Sequence, residues 1–209
     1  MPTLDQAKNW YPPDDPVHGF DHIGRVYRLA ERLAQAEGAD LEIVRAAALL
    51  HDAGEMLGGA RLSHQHASAE FAGQTLKAEG WPVERISAVQ HAIRAHRFRD
   101  RSEPPATLEA QVLFDADKLD AIGATGAARA VAYAALEGRP AYFPPSPRFL
   151  ESGELEPGEV HSAYHEYQFK LRRIIERLHT AAALRIADER QRVMADFFER
   201  LARESDGLA

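Results

Sequence analysis

The run Arg45-Ala-Ala-Ala-Leu-Leu-His-Asp-Ala-Gly54 constrains this chain more than any other segment. Its flanks are apolar and helix-forming, which sends the stretch to a protein interior. An ionised aspartate is almost never buried there without a neutralising partner, because losing its water is costly. Asp52, with His51 beside it, therefore points to a bound cation.

The surrounding periodicity is helical. Ile23, Val26, Leu29 and Leu33 recur at helix spacing, Asp21 can cap their start, and Gly38 can end the segment. A second helix is expected from about Leu41 into the His51-Asp52 pair, stopping near Gly54. A loop with Gly58-Gly59 as its breaker follows, then helices over 65–78, from Pro82 to about Ala95, over 108–122, and after Gly123. The stretch of about 138–158 is rich in Pro and Gly and includes Phe143-Pro-Pro-Ser-Pro147, which reads as a surface excursion serving as a lid or a partner contact. Two long amphipathic helices are expected over about 159–204, one carrying Leu171, Ile174, Ile175 and Leu178, the other Val193, Met194, Phe197, Phe198 and Leu201. No alternating strand pattern, internal repeat or heptad run is present. The expected class is all-α: one domain over 1–209, with its core at about 17–137 and the last two helices packed on that core.

Composition bounds the chemistry. A formal charge of -7 opposes non-specific binding to a nucleic-acid polymer, which needs a basic surface. The absence of cysteine excludes disulfides, thiolate metal sites and a cysteine nucleophile. No apolar stretch approaches the roughly 20 residues of a membrane helix. Met1-Pro-Thr-Leu-Asp-Gln6 shows no basic region followed by an apolar one, so a cytoplasmic location is the expectation. The last two helices serve as internal core, the commoner case for such faces, or supply a homodimer face.

The ten histidines are the surplus. His22 shares a helix face with Val26, Leu29 and Leu33 and points inward. His51 and Asp52 differ by about 100° around their helix and can straddle a groove to meet at one ion. Asp117, in Leu113-Phe-Asp-Ala-Asp-Lys-Leu-Asp-Ala121, shares a face with Leu113, whereas Asp115 is turned away from it. Taken singly, His22 reads as a core histidine, the pair as a buried hydrogen bond, and Asp117 as a buried salt bridge. Taken together, two imidazoles and two carboxylates on apolar helices suit a divalent ion such as Mn, Mg, Fe, Ni, Co or Zn. Four protein ligands on an octahedral ion leave positions for water and substrate.

The order His22, His51-Asp52, Asp117 resembles the signature of the HD superfamily of metal-dependent phosphohydrolases. The flanks His18-Gly-Phe-Asp-His-Ile-Gly-Arg-Val26, Ala47-Ala-Leu-Leu-His-Asp-Ala-Gly54 and Asp115-Ala-Asp-Lys-Leu-Asp-Ala-Ile-Gly-Ala124 are similar to those of small, stand-alone bacterial members. The resemblance runs from about Val17 to Glu204. It implies an all-helical fold, a divalent metal held by His22, His51, Asp52 and Asp117, and hydrolysis of phosphoester or phosphoanhydride bonds. Glu55 stands at the His-Asp-x-x-Glu spacing that, in nucleotide-directed members, supplies the carboxylate orienting or deprotonating the attacking water.

Arg25, Lys118 and Arg129 are the candidate cations for a substrate phosphate. His64, His66, His91 and His96 lie in the interval where two-metal members place further histidines, and His96 follows Ile93 on an inward face. The sequence lacks the Lys and the adjacent His-His that mark the cyclic-dinucleotide branch, and Glu55 occupies the Lys position. The expected function is metal-activated hydrolysis of a small phosphorylated metabolite, most simply a nucleotide, with one tightly held ion. The alternatives are a two-metal phosphodiesterase and a non-catalytic nucleotide sensor.

Overall fold

The computed structural model of the chain describes residues 1–12, 19–54, 64–98 and 102–208. Its helices are α1 (Leu4–Ala7), α2 (Phe20–Glu37), α3 (Leu41–Leu50), α4 (His64–Ala78), α5 (Val83–Ala95), α6 (Leu108–Asp120), α7 (Gly123–Leu136), α8 (Pro147–Ser152), α9 (Ala163–Phe169) and α10 (Ala181–Ser205), with tighter 3-10 turns at Lys8–Trp10 and Leu171–Arg177. No strand occurs among the described residues, as the all-α expectation requires. No helix among them is long and apolar enough to cross a membrane.

The chain divides into two compact units: Met1–Lys118 with Leu178–Ala183, and Leu119–Arg177 with Leu184–Ala209. In the first, α3 is the central element. Ile43, Val44 and every residue from Ala46 to Leu50 are buried, so its second half is apolar on every side, as a helix end enclosed by others must be. It packs against α2, α4 and α5. Asp40 caps its start by accepting from the amides of Glu42 and Ile43.

Helix α2 buries His22, Ile23, Val26, Leu29 and Leu33 on one face, which is the face expected from the periodicity. It closes at Gly38, whose φ of 78° is the left-handed conformation that glycine tolerates best. The amino-terminal segment braces the far end of α3. Ala7 and Tyr11 pack with Ile23, Leu49 and Ala53, and the Tyr11 hydroxyl donates to the Leu49 carbonyl at 2.7 Å. That carbonyl belongs to the last turn of α3, where carbonyls lack an intrahelical partner.

Asp115 is fully buried on α6. It accepts from the backbone amides of His179 and Thr180 and from the Thr180 hydroxyl at 2.7–3.2 Å. Burial pushes its pKa above the ordinary value, although these donors oppose the shift. It is thus directed to segment 178–183, consistent with its being turned away from Asp117.

In the second unit, Phe198 of α10 stacks on Tyr167 of α9, with ring centroids 4.6 Å apart and planes 13° from parallel. One expectation gains detail here and another needs correction. The Pro/Gly-rich excursion contains the short helix α8, started by Ser146 as cap and Pro147 at its first position. The stretch carrying Leu171 to Leu178 is not a long helix. Lys170 leaves the helical region, at φ -122° and ψ -55°, and a 3-10 segment follows. The Leu171 carbonyl accepts from the Gln191 side chain at 2.8 Å, which satisfies the acceptor where the α-helical ladder stops.

Candidate metal centre

All four ligands expected from the sequence lie in the first unit. His22 comes from the first turn of α2, His51 caps the end of α3, Asp52 follows it in the turn, and Asp117 stands near the end of α6. The helix therefore ends one residue before the pair, and the turn lets adjacent side chains aim at one point. Asp52 Oδ2 lies 3.4 Å from His51 Nε2 and 3.8 Å from His22 Nε2. Asp117 Oδ1 lies 3.4 Å from His22 Nε2. His22 and His51 are 3% and 0% exposed, so only a narrow face opens to solvent.

The donor chemistry fits a cation. His51 Nδ1 lies 2.9 Å from the Ala48 carbonyl, which can only accept, so Nδ1 carries the proton and Nε2 presents a lone pair. That Nε2 is buried with no hydrogen-bond partner among the described residues. An orphaned lone pair beside two carboxylates is costly unless an ion takes it up. Burial, reinforced by neighbouring imidazoles and opposed by Asp52, lowers the His51 pKa to about 4, so the ring is neutral at physiological pH. Burial acts to raise Asp52 and Asp117, but it is outweighed. His51, His64 and His96 hold Asp52 well below the carboxylate range, and Lys118 and His22 do the same for Asp117.

The four histidines between the pair and Asp117 separate cleanly. His64, at the start of α4, places Nε2 3.3 Å from Asp52 Oδ1, and His96, at the end of α5, places Nε2 3.5 Å from the same atom. His96 Nδ1 donates to the Ile93 carbonyl, repeating the arrangement at His51. His22, His51 and Asp52 thus form one group with ligand geometry, and Asp52, His64 and His96 form another. His66 is exposed and joins neither group. His91 bonds Glu103 through Nδ1 and accepts the Ala106 amide at Nε2, so it holds the segment after α5 rather than an ion. The backbone acceptors Ala48 and Ile93, which fix the two imidazoles, carry no side-chain signal in the sequence.

Of the three candidate cations, Lys118 is at the site, bonded to Asp117 Oδ2 and leaving Oδ1 toward His22. Arg25 is half-buried on α2, one turn beyond His22. Arg129 belongs to the second unit, where its Nη1 donates to the buried Asp120 at 2.6 Å. Glu55 lies outside the described residues.

Comparison with known proteins identifies relatives of the whole chain. The sequence profile of the HD domain matches residues 19–122. The Bacillus subtilis (strain 168) protein YpgQ, itself uncharacterized by description, is 33% identical over 194 residues, covering 91% of this chain and 86% of the relative. A crystal structure of YpgQ in complex with ADP superimposes with a TM-score of 0.75 at 32% identity, covering 99% of this chain and all of that one. An HD-superfamily hydrolase from Bacillus thuringiensis gives a TM-score of 0.73 at 27% identity over 97% of this chain and 94% of its own.

Proposed function

The chain belongs to the HD-domain family, and on that premise we propose that it is a metal-dependent phosphohydrolase acting on a small nucleotide. The observation that carries the proposal is the orphaned, proton-free Nε2 of His51, facing Asp52 beside His22. His22, His51, Asp52 and Asp117 would hold a divalent ion. Bound there, such an ion lowers the pKa of a water and polarises a phosphoryl oxygen.

The chain's own residues supply the remainder. The two aspartates balance the charge of a divalent cation, and the Nδ1–H bonds of His51 and His96 keep their rings from rotating. Lys118 sits beside Asp117 and is the cation placed to meet a phosphate oxygen as negative charge develops. Glu55, three residues beyond Asp52 in sequence, is assigned to orient or deprotonate the water. The nucleotide assignment is supported by the ADP complex of YpgQ. Cleavage at a phosphomonoester or a pyrophosphate linkage is consistent with the same residues.

Purified protein with manganese and a panel of nucleoside mono-, di- and triphosphates tests the reading. Release of phosphate or pyrophosphate is expected from at least one of them. A nucleotide that raises the melting temperature without product from any panel member would replace the enzyme by a sensor.

A second reading is favoured by one observation: His64 and His96 converge on Asp52 Oδ1 while His22 and His51 face Oδ2. His22, His51 and Asp52 would then hold one ion and Asp52, His64 and His96 a second, a pair suited to phosphodiester cleavage. Elemental analysis distinguishes them. One manganese per chain, unchanged in His96→Ala, supports the single-ion enzyme. Two per chain, falling to one in that variant, supports the pair.

A further inference from the structure

The second unit contains a cavity of about 440 Å³ formed by the excursion and α9. Its size falls within the range of small-molecule sites, about 300–1,000 Å³. Four rings line it. Phe149 is its buried floor, at 2% exposure; Tyr142 meets Tyr164 edge-on at 5.2 Å, and Phe169 lies 5.8 Å from Phe149. Gln168 and Arg172, one helical turn apart in sequence, supply the polar groups.

The floor is held rigidly. Glu159 accepts from the Ser146 amide and hydroxyl at 2.6 and 2.8 Å and from the Glu156 amide at 2.7 Å. It also accepts from His165 Nε2 at 3.0 Å, and the His165 ring packs edge-on against Phe149 at 4.4 Å. Serine, histidine and glutamate are in contact here, but Ser162 is 1% exposed and its hydroxyl caps α9. The cluster is a brace that preforms the cavity, not a nucleophile.

Arg172 is the charged residue of the cavity lining. Arg148, Arg192 and Arg200 of the same unit are paired with Glu154, Asp188 and Asp196. Arg172 instead donates to the neutral Gln168 at 2.5 Å, and it forms no ion pair among the described residues. Arg173 lies over the Phe169 ring at 5.6 Å. In an acidic chain, a guanidinium group with no carboxylate partner among the described residues, set beside four rings, selects for a flat, negatively charged molecule. Leu150 and Phe169 leave apolar surface uncovered at 49% and 42% exposure.

We propose that this cavity is a second ligand site, taking a planar aromatic ring that carries an anionic group and binding it without metal. The ring lies among Tyr142, Tyr164 and Phe169, and the anion meets Arg172. A nucleoside monophosphate and a free aromatic carboxylate share that chemistry.

Calorimetric titration of the full chain in EDTA with AMP and with 1-naphthoate provides the test. At least one probe binds with one-to-one stoichiometry, and which one binds identifies the source. Arg172→Ala weakens it by about tenfold or more, as expected for a lost charge-assisted bond. Leu150→Trp, at an exposed lining position, blocks it independently. Asp52→Ala leaves it unchanged. Failure of both probes, indifference to both cavity variants, or loss of binding in Asp52→Ala would overturn the proposal.

Discussion

Asp52 Oδ1 stands 3.3 Å from His64 Nε2, while the other oxygen of the same carboxylate faces His51 at 3.4 Å. One side chain therefore divides its charge between imidazoles delivered by different helices. It is the hub that allows four imidazoles, His22, His51, His64 and His96, to gather in a buried space.

Replacing that hub while keeping its shape should disperse the site's chemistry and not its fold. Asp52→Asn is expected to lose bound manganese and to drop hydrolysis to background, with circular dichroism unchanged. Full manganese content in the variant would remove Asp52 from the ligand set.

Glu55→Gln should retain the metal and slow hydrolysis by about 10²–10⁴-fold, the usual worth of a positioned acid or base. Metal analysis alongside turnover separates this from a ligand defect. A rate within about twofold of the parent, far below that range, would exclude Glu55 from water activation.

Gly54 follows the His-Asp turn and lies against the backbone of α4. Its amide donates to the Ser68 hydroxyl at 2.9 Å, and an added Cβ would fall 2.3 Å from the Ser68 nitrogen and 2.6 Å from the Ala67 carbonyl carbon. Those are backbone atoms and cannot rotate aside. Gly54→Ala should cost about 1–3 kcal/mol or more in urea denaturation and weaken metal binding through displacement of Asp52.

Glu159 carries a pH signature. Burial acts to raise its pKa, but the Glu156 and Ser146 amides, with His165 and the Ser146 hydroxyl, bring it from 4.5 to about 2. A carboxylate lowered on folding contributes stability that is complete above pH 4.5 and disappears as pH falls toward 2. The melting-temperature gap between wild type and Glu159→Gln should be widest at pH 5–7 and close toward pH 2. A gap constant across that interval would mean that Glu159 acts through packing alone.

Much of the candidate metal centre, the grouping of His22, His51 and Asp52, was legible in the sequence because burial and charge conflict there. An aspartate in Ala-Leu-Leu-His-Asp-Ala demands a partner, and the spacing of His22 with Val26, Leu29 and Leu33 assigns its face. Periodicity could not sort His64 and His96 from His66 and His91. Tertiary contact decides that, because α5 packs on both α3 and α4 and so carries His96 to Asp52. The brace around Glu159 was hidden for a similar reason: its donors are mostly backbone amides, which look alike in every sequence. Ser162 three residues before His165 was the one available cue, a capping pattern with histidine in the usual glutamate place. The break at Lys170 had no local signal, since the acceptor it frees is satisfied by Gln191 far along the chain.

Asp115 binds the amides of residues 179 and 180, and Glu37 accepts from the amide of Ala182 at 2.6 Å. The HD-domain profile match ends at residue 122, yet these two acidic side chains within it have their donors on a strip of chain more than fifty residues later. A fragment trimmed to the matched stretch would keep every proposed ligand and still leave two carboxylates stranded. The edge of the HD-domain match is not the edge at which this protein can be cut.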